Sequence, residues 1–283
     1  MLSKRLITSP PPEVPASMTA DERIALIEVK IERAKKHFVE LNETCLAFQQ
    51  TNPYEVDVKR DPETRNLIYY VFRVDPVPDS LGAIAGDFIQ NLRSALDHLI
   101  RHLMEVRGIT RFDTESNFPI GSDAKDYSKT KLRGMEKILR KDAVDALRSI
   151  EAYKGGRGHQ LWVLHRLNNI DKHRLLITVS SSFQSVNVWT AMQRDWNLAH
   201  GSEFRLPDLK LFLRPEDICC PLRVGHELVV DRPDAEGNED YQFAFNIALD
   251  EAGVIEGKPL LETLGHMGEL VSNTITIFKP CLA

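Results

Sequence analysis

The chain has 283 residues, of which 36 are Lys or Arg and 41 are Asp or Glu, and its formal net charge is −5. This length is enough for one large domain or two small ones. The net charge by itself gives no reason to expect a polyanionic partner. However, residues 125–174 carry 13 Lys and Arg against 6 Asp and Glu, a local excess of seven positive charges. That excess indicates either an anion-binding surface or a solvated helical face.

The cysteines and the hydropathy pattern exclude several protein classes. Cys45, Cys219, Cys220 and Cys281 form no C-x-x-C pair, which argues against a zinc knuckle or a redox dithiol. The first residues lack the apolar segment of a signal peptide, and no run is long enough to span a bilayer. We therefore expect a cytoplasmic protein without a membrane partner.

The first half of the chain predicts two long helices separated by a hairpin. Prolines between residues 10 and 15 predict a flexible arm over residues 1–18. Thr19 and Glu22 have the spacing of a capping box, and apolar residues at steps of three and four then predict a helix. Residues 53–74 predict a β-hairpin, after which Asp79 or Ser80 is expected to cap the second helix.

The second half of the chain predicts a mixture of helices and strands. Two further helical segments are expected at about residues 129–151 and 158–172. From residue 175 onward, β-branched and alternating segments predict antiparallel strands, closed by a helix from about residue 260.

The predicted fold class is therefore α+β. It comprises a helical bundle over residues 19–174, which contains the hairpin, and a β-rich region over residues 175–283. The pattern leaves open whether the β-rich region belongs to the same structural unit.

The second helix contains GDFIQNLRSALDHLIRH at residues 86–102, where polar residues flank an apolar stripe on both sides. One flank carries Asp87, Asn91, Ser94 and His98, and the other carries Arg93 and Asp97. A second polar cluster lies in LWVLHRLNNIDKHRLL at residues 161–176. The binding candidates are Asp87 and Asn91 of the second helix and, in this cluster, Asn168, Asp171, Lys172, His173 and Arg174. We expect the two helices to lie side by side, although capping of a helix end explains the second cluster equally well.

Arg93 and His98 form an R-x4-H pair in Arg93-Ser-Ala-Leu-Asp-His98. In this feature the helical part resembles the HEPN superfamily, which is marked by R-x4-6-H. Many of its members are metal-independent ribonucleases of bacterial toxin–antitoxin and phage-defence systems. The combination of NLRSALDHL, FPI and LNNIDKHR also looks like a pattern that recurs in uncharacterised bacterial proteins, and it assigns no activity.

The resemblance implies RNA as partner, no cofactor and a homodimer. His98 would act as general acid or base at the ribose 2′-OH, Arg93 would stabilise charge on the phosphate, and Asp97 would orient the pair. The basic segment 125–157 would guide the RNA backbone. On an ideal helix, Arg93 and His98 point about 140° apart. A partner subunit or a distorted backbone would therefore have to bring them together.

Two other interpretations stay open. In the first, Arg93 and Asp97 form a structural i,i+4 ion pair, and the chain is a non-catalytic binding or scaffold module. In the second, His98 and His102 at i,i+4 bind a metal ion together with His165.

Overall fold

The structure is a computed structural model. It describes residues 18–109, 117–173, 176–189, 192, 196–197, 201, 212–213, 220–235 and 241–283. The helices are α1 (Ala20–Gln50), α2 (Asp79–Val106), α3 (Ala124–Asp126), α4 (Leu132–Ile138), α5 (Lys141–Ile150), α6 (His159–His173) and α7 (Leu260–Ile277). The strands are β1 (Tyr54–Arg60), β2 (Leu67–Val74), β3 (Val179–Asn187), β4 (Phe212–Leu213), β5 (Glu227–Asp231), β6 (Gln242–Glu251) and β7 (Ile255–Pro259).

Helix α1 begins where the capping-box pattern predicts. Thr19 Oγ1 accepts a hydrogen bond from Glu22 N at 3.2 Å, and Glu22 Oε2 accepts one from Thr19 N at 2.7 Å. These bonds satisfy two amides that have no partner inside the helix. The stripe from Ile27 to Cys45 is buried at every third or fourth residue, as predicted.

Helix α2 is the centre of the helical core, because α1, α6 and α7 all pack against it. Its apolar stripe is correspondingly broad, and Leu92, Leu96 and Leu99 are at most 1% exposed. The expected cap at Asp79 or Ser80 is wrong by one or two positions. Pro78 occupies the N-cap, and its ring offers no hydrogen-bonding side chain.

The helix predicted over residues 129–151 is divided into several pieces. A π-helical segment, Tyr127–Lys131, joins α3 to α4, and Leu139 in extended conformation separates α4 from α5. Tyr127 is buried, and its hydroxyl donates to Leu147 O at 2.6 Å. This contact ties the π-helical segment to α5.

Two small antiparallel sheets, β1–β2–β5 and β4–β3–β6–β7, complete an α+β fold, as predicted. The hairpin β1–β2 turns at Asp61, whose Oδ1 accepts a hydrogen bond from Thr64 N at 2.7 Å. Strand β5 then pairs with β2, with Val230 opposite Ile68. Strands from the two halves of the sequence therefore share one sheet.

Part of the sequence-based prediction lies outside the described residues. Of the expected arm, residues 1–18, the structure describes only Met18. Of the segment FRLPDLKLFL, residues 204–213, it describes only the last two residues. Among the helices that the structure describes, none has the length and apolar character needed to cross a bilayer.

Candidate functional site

Arg93 and Asp97 bind both polar backbone groups of Phe118. Arg93 Nη2 donates to Phe118 O at 3.0 Å, and Phe118 N donates to Asp97 Oδ1 at 2.8 Å. The two side chains also form an i,i+4 ion pair, with Arg93 Nη1 3.1 Å from Asp97 Oδ1. This arrangement, which we call the Arg93–Asp97 clamp, attaches the buried FPI segment to α2 through charge-assisted hydrogen bonds.

The clamp leaves little of Arg93 accessible to a ligand. Its side chain is 6% exposed, and burial lowers the pKa of the guanidinium while the Asp97 carboxylate raises it. A group that stabilises charge on a phosphate has to reach that phosphate directly. A structural role is therefore enough to explain the contacts of Arg93 and Asp97, and these contacts give no support to a catalytic role.

His98 lies on a different side of α2 from Arg93. Burial lowers the pKa of His98, and the charges of Lys30 of α1 and of Arg101 lower it further. The charge of Arg93 acts instead on His165 of α6. The spacing of the R-x4-H pair on α2 points its two members in different directions, and Arg93 contacts Phe118 and Asp97.

His102, the i+4 neighbour of His98, belongs to a separate charged network. Its Nδ1 lies 3.0 Å from Glu105 Oε2 and 3.3 Å from Arg23 Nη1, and Arg23 Nη1 lies 2.5 Å from Glu105 Oε2. A guanidinium next to the imidazole nitrogen opposes a metal cation at that position.

The alternative metal site of His98, His102 and His165 is not formed. The described residues contain no group of three or more His, Cys, Asp or Glu side chains that could hold a metal ion.

His165 lies at the interface between α2 and α6, which pack side by side as predicted. Asn169 Nδ2 is 3.1 Å from His165 Nε2, and His165 Nδ1 is buried without a hydrogen-bond partner among the described residues. Burial, followed by nearby cations of which Arg93 is the strongest, lowers the pKa of His165 to about 4. Asn168, one turn away, is 2% exposed, and its Oδ1 has no hydrogen-bond partner among the described residues.

This lowered pKa predicts a loss of stability on acidification. Between pH 6.5 and about 4 the unfolded chain binds a proton at His165 and the folded chain does not. The free energy of unfolding should therefore fall as the pH falls through this range, by at most about 3 kcal/mol. Urea unfolding across this pH range measures the effect, and His165→Gln should flatten the profile.

His173→Gln, at an exposed position of the same helix, is the matched control and should leave the slope unchanged. If His165→Gln retains the full slope of the parent protein, the neutral state of His165 in the fold is refuted.

Asp171 lies at the other end of the α2–α6 interface. Its carboxylate contacts the α2 backbone so closely that a Cβ atom on Gly86 would overlap it. Burial, followed by the charge of Asp87, raises the pKa of Asp171. Asn91 donates from Nδ2 to Asp87 O at 2.8 Å.

The remaining binding candidates lie at the C-terminal end of α6. Lys172 and His173 are exposed, and Arg174 lies outside the described residues. Basic side chains in the last turn of a helix interact favourably with its dipole.

A line of exposed basic side chains follows the π-helical segment. Lys125, Lys129, Arg133 and Lys137 recur at steps of four, and we call these four residues the basic stripe. In an α-helix a step of four residues overshoots one turn by about 40°. In the π-helical segment, Leu132 N donates to Tyr127 O. A π-helical turn holds more than four residues, so the same step falls short of a turn.

These opposite rotations partly offset each other along the basic stripe. Lys137 lies twelve residues beyond Lys125, which at about 1.5 Å per residue gives a line of about 18 Å. Within the ranges that the structure covers, none of the four cations forms an ion pair, whereas nearby Arg140 pairs with Asp142 and Arg148 with Asp145.

Comparisons of the chain with protein-family models, with curated proteins and with solved structures give no match. Function is therefore inferred from the geometry of particular residues. Among the described residues, the Arg93–Asp97 clamp is engaged in holding the fold together, whereas the basic stripe offers exposed cations that form no ion pair there.

Proposed function

We propose that this protein binds single-stranded RNA through the basic stripe and that it does so without cleavage by Arg93 and His98. The observation that carries the proposal is the recurrence of four exposed cations, without ion pairs among the described residues, at steps of four residues across the π-helical segment and the two helices beside it. Short π-helical segments occur frequently at functional sites, which further supports this assignment.

The spacing of the four cations favours a polymer over a single small anion. Successive members are four residues apart, which is about 6 Å along the helix. One small anion cannot contact four such groups at once, whereas a polyphosphate chain presents one charge after another. Each phosphate that is neutralised releases counterions and so contributes to affinity.

Because the whole chain is acidic, RNA binding would have to come from the basic stripe. The whole protein carries a formal net charge of −5, so it does not attract RNA through its average field. Binding must therefore depend on the local cations, and their substitution should have a large effect.

Cleavage is left out of the proposal because of the Arg93–Asp97 clamp. A HEPN-like reaction between two copies would require Arg93 to release Phe118 and to reach a phosphate. That release would leave the carbonyl of Phe118 and the carboxylate of Asp97 without their present partner.

Charge reversal in the basic stripe tests the proposal. The double variant Lys129→Glu with Arg133→Glu should weaken binding to a fluorescein-labelled single-stranded RNA by at least about tenfold, because two phosphate contacts become repulsive. Fluorescence anisotropy at fixed salt measures the dissociation constant.

The matched control is Arg33→Glu with Lys36→Glu, which makes the same change in net charge at exposed positions of α1. It should alter the affinity far less than the stripe variant. Equal weakening by both double variants, or no binding by the parent protein, would overturn the proposal.

A further inference from the structure

An apolar cleft opens between α1, α2 and α7. Its volume is about 550 Å³, and its apolar walls include Ala34, Phe38, Phe88 and Leu92. This volume lies within the range of sites that bind small molecules, which are mostly apolar with a few polar groups at defined positions.

Two glycines of α7 keep the cleft open. A Cβ atom on Gly265 would lie 3.6 Å from Phe38 Cζ, and one on Gly268 would lie 3.5 Å from Phe88 Cζ. Both distances are ordinary van der Waals contacts, so packing does not demand glycine at either position. Glycine inside a helix is nevertheless less favourable than alanine. Because both positions are glycine, α7 places no side chain over the rings of Phe38 and Phe88 there.

The rim of the cleft carries one lysine that is already paired and one glutamate that, among the described residues, is not. Lys35 is paired with Glu32 at 2.6 Å. Glu269 is exposed at the rim and forms no ion pair with any described residue. Ser272 donates its hydroxyl proton to Gly268 O at 3.0 Å, which leaves its oxygen lone pairs available as acceptors.

We propose that this cleft binds a small amine with an aromatic or alkyl body. The apolar body would pack on Phe38 and Phe88, and the ammonium group would lie near Glu269 and donate to Ser272. The faces of the two aromatic rings also attract a cation. The inference does not depend on RNA binding by the basic stripe.

The surroundings of the cleft fit a small molecule better than a protein partner. A stable protein interface needs about 800 Å² from each partner, and its centre is depleted of charged residues. The α1 surface beside the cleft carries exposed Glu32, Lys35 and Lys36. A second copy of the chain would have to bury these charges to reach that area.

Three probes with the same aromatic body test the proposal: naphthylethylamine, naphthylethanol and naphthylacetate. Isothermal titration calorimetry should show that the amine binds about threefold more tightly than the alcohol, the preference expected for one exposed ion pair. The carboxylate should bind most weakly. Glu269→Gln should make the amine and the alcohol equal.

Variants that fill the cleft should abolish binding of all three probes. Gly268→Leu places a side chain over Phe88, and Ser272→Phe fills the cleft from its rim if the first variant does not fold. Gly134→Ala, on α4 and outside the cleft, is the control and should bind normally.

Three results would overturn the inference. The first is no binding of any probe, and the second is tighter binding of the carboxylate than of the amine. The third is a dimer mass in light scattering that Gly268→Leu reduces to that of a monomer, which would make the cleft an interface between copies.

Discussion

Arg93→Ala should lower the free energy of unfolding by about 3–5 kcal/mol, the cost of breaking a buried ion pair by removing one partner. The substitution leaves the Asp97 carboxylate without its counter-ion and the Phe118 carbonyl without its donor. It also removes a large buried side chain. An exposed pair at the same spacing would cost only about 0.5 kcal/mol, so the size of the effect reports burial. Urea unfolding followed by circular dichroism gives the measurement.

Arg33→Ala, at an exposed position of α1, is the matched control and should change stability by less than about 0.5 kcal/mol. The structural role of the Arg93–Asp97 clamp would be refuted if Arg93→Ala unfolded like the parent protein.

Gly82→Ala should lower the free energy of unfolding by about 1–3 kcal/mol, the usual cost of overpacking. A Cβ atom at this position would lie 2.5 Å from the backbone oxygen of Ile177 and 3.5 Å from Leu176 Cβ. Because the nearest atom belongs to the backbone, a change of side-chain rotamer cannot relieve the overlap. Thermal or urea unfolding measures the change.

The control substitution is Gly134→Ala in α4, where a Cβ atom meets nothing within 4 Å. It should raise stability by about 0.5–1 kcal/mol through helix propensity. If Gly82→Ala were stabilising to the same degree, the segment at residues 176–177 would not pack against α2 as described.

The elements that the sequence predicted correctly are those with local causes. The start of α1 follows from Thr19 and Glu22, three residues apart, and the hairpin turn follows from Asp61 and Thr64. Helix α2 follows from its apolar periodicity. In each case the deciding contacts lie within about one turn of helix or one hairpin, where residue patterns carry the information.

The features that the sequence did not reveal depend on distant contacts. The Arg93–Asp97 pair was foreseen as one alternative, but its partner Phe118 is 25 residues from Arg93 and 21 from Asp97. The pairing of β2 with β5 joins Leu67 to Asp231. The alignment of the basic stripe requires a π-helical segment that is tied in place by Tyr127 and Leu147. No pattern of spacing alone encodes these contacts.

The central claim is that the four cations of the basic stripe contact RNA phosphates, and the salt dependence of binding tests it most directly. For four contacts with a single strand, the logarithm of the binding constant should fall with the logarithm of salt concentration at a slope of about −2.8. The double variant Lys129→Ala with Arg133→Ala should halve that slope, to about −1.4. An unchanged slope in the double variant would contradict the claim, and so would RNA cleavage in EDTA that His98→Ala abolishes while the fold stays intact.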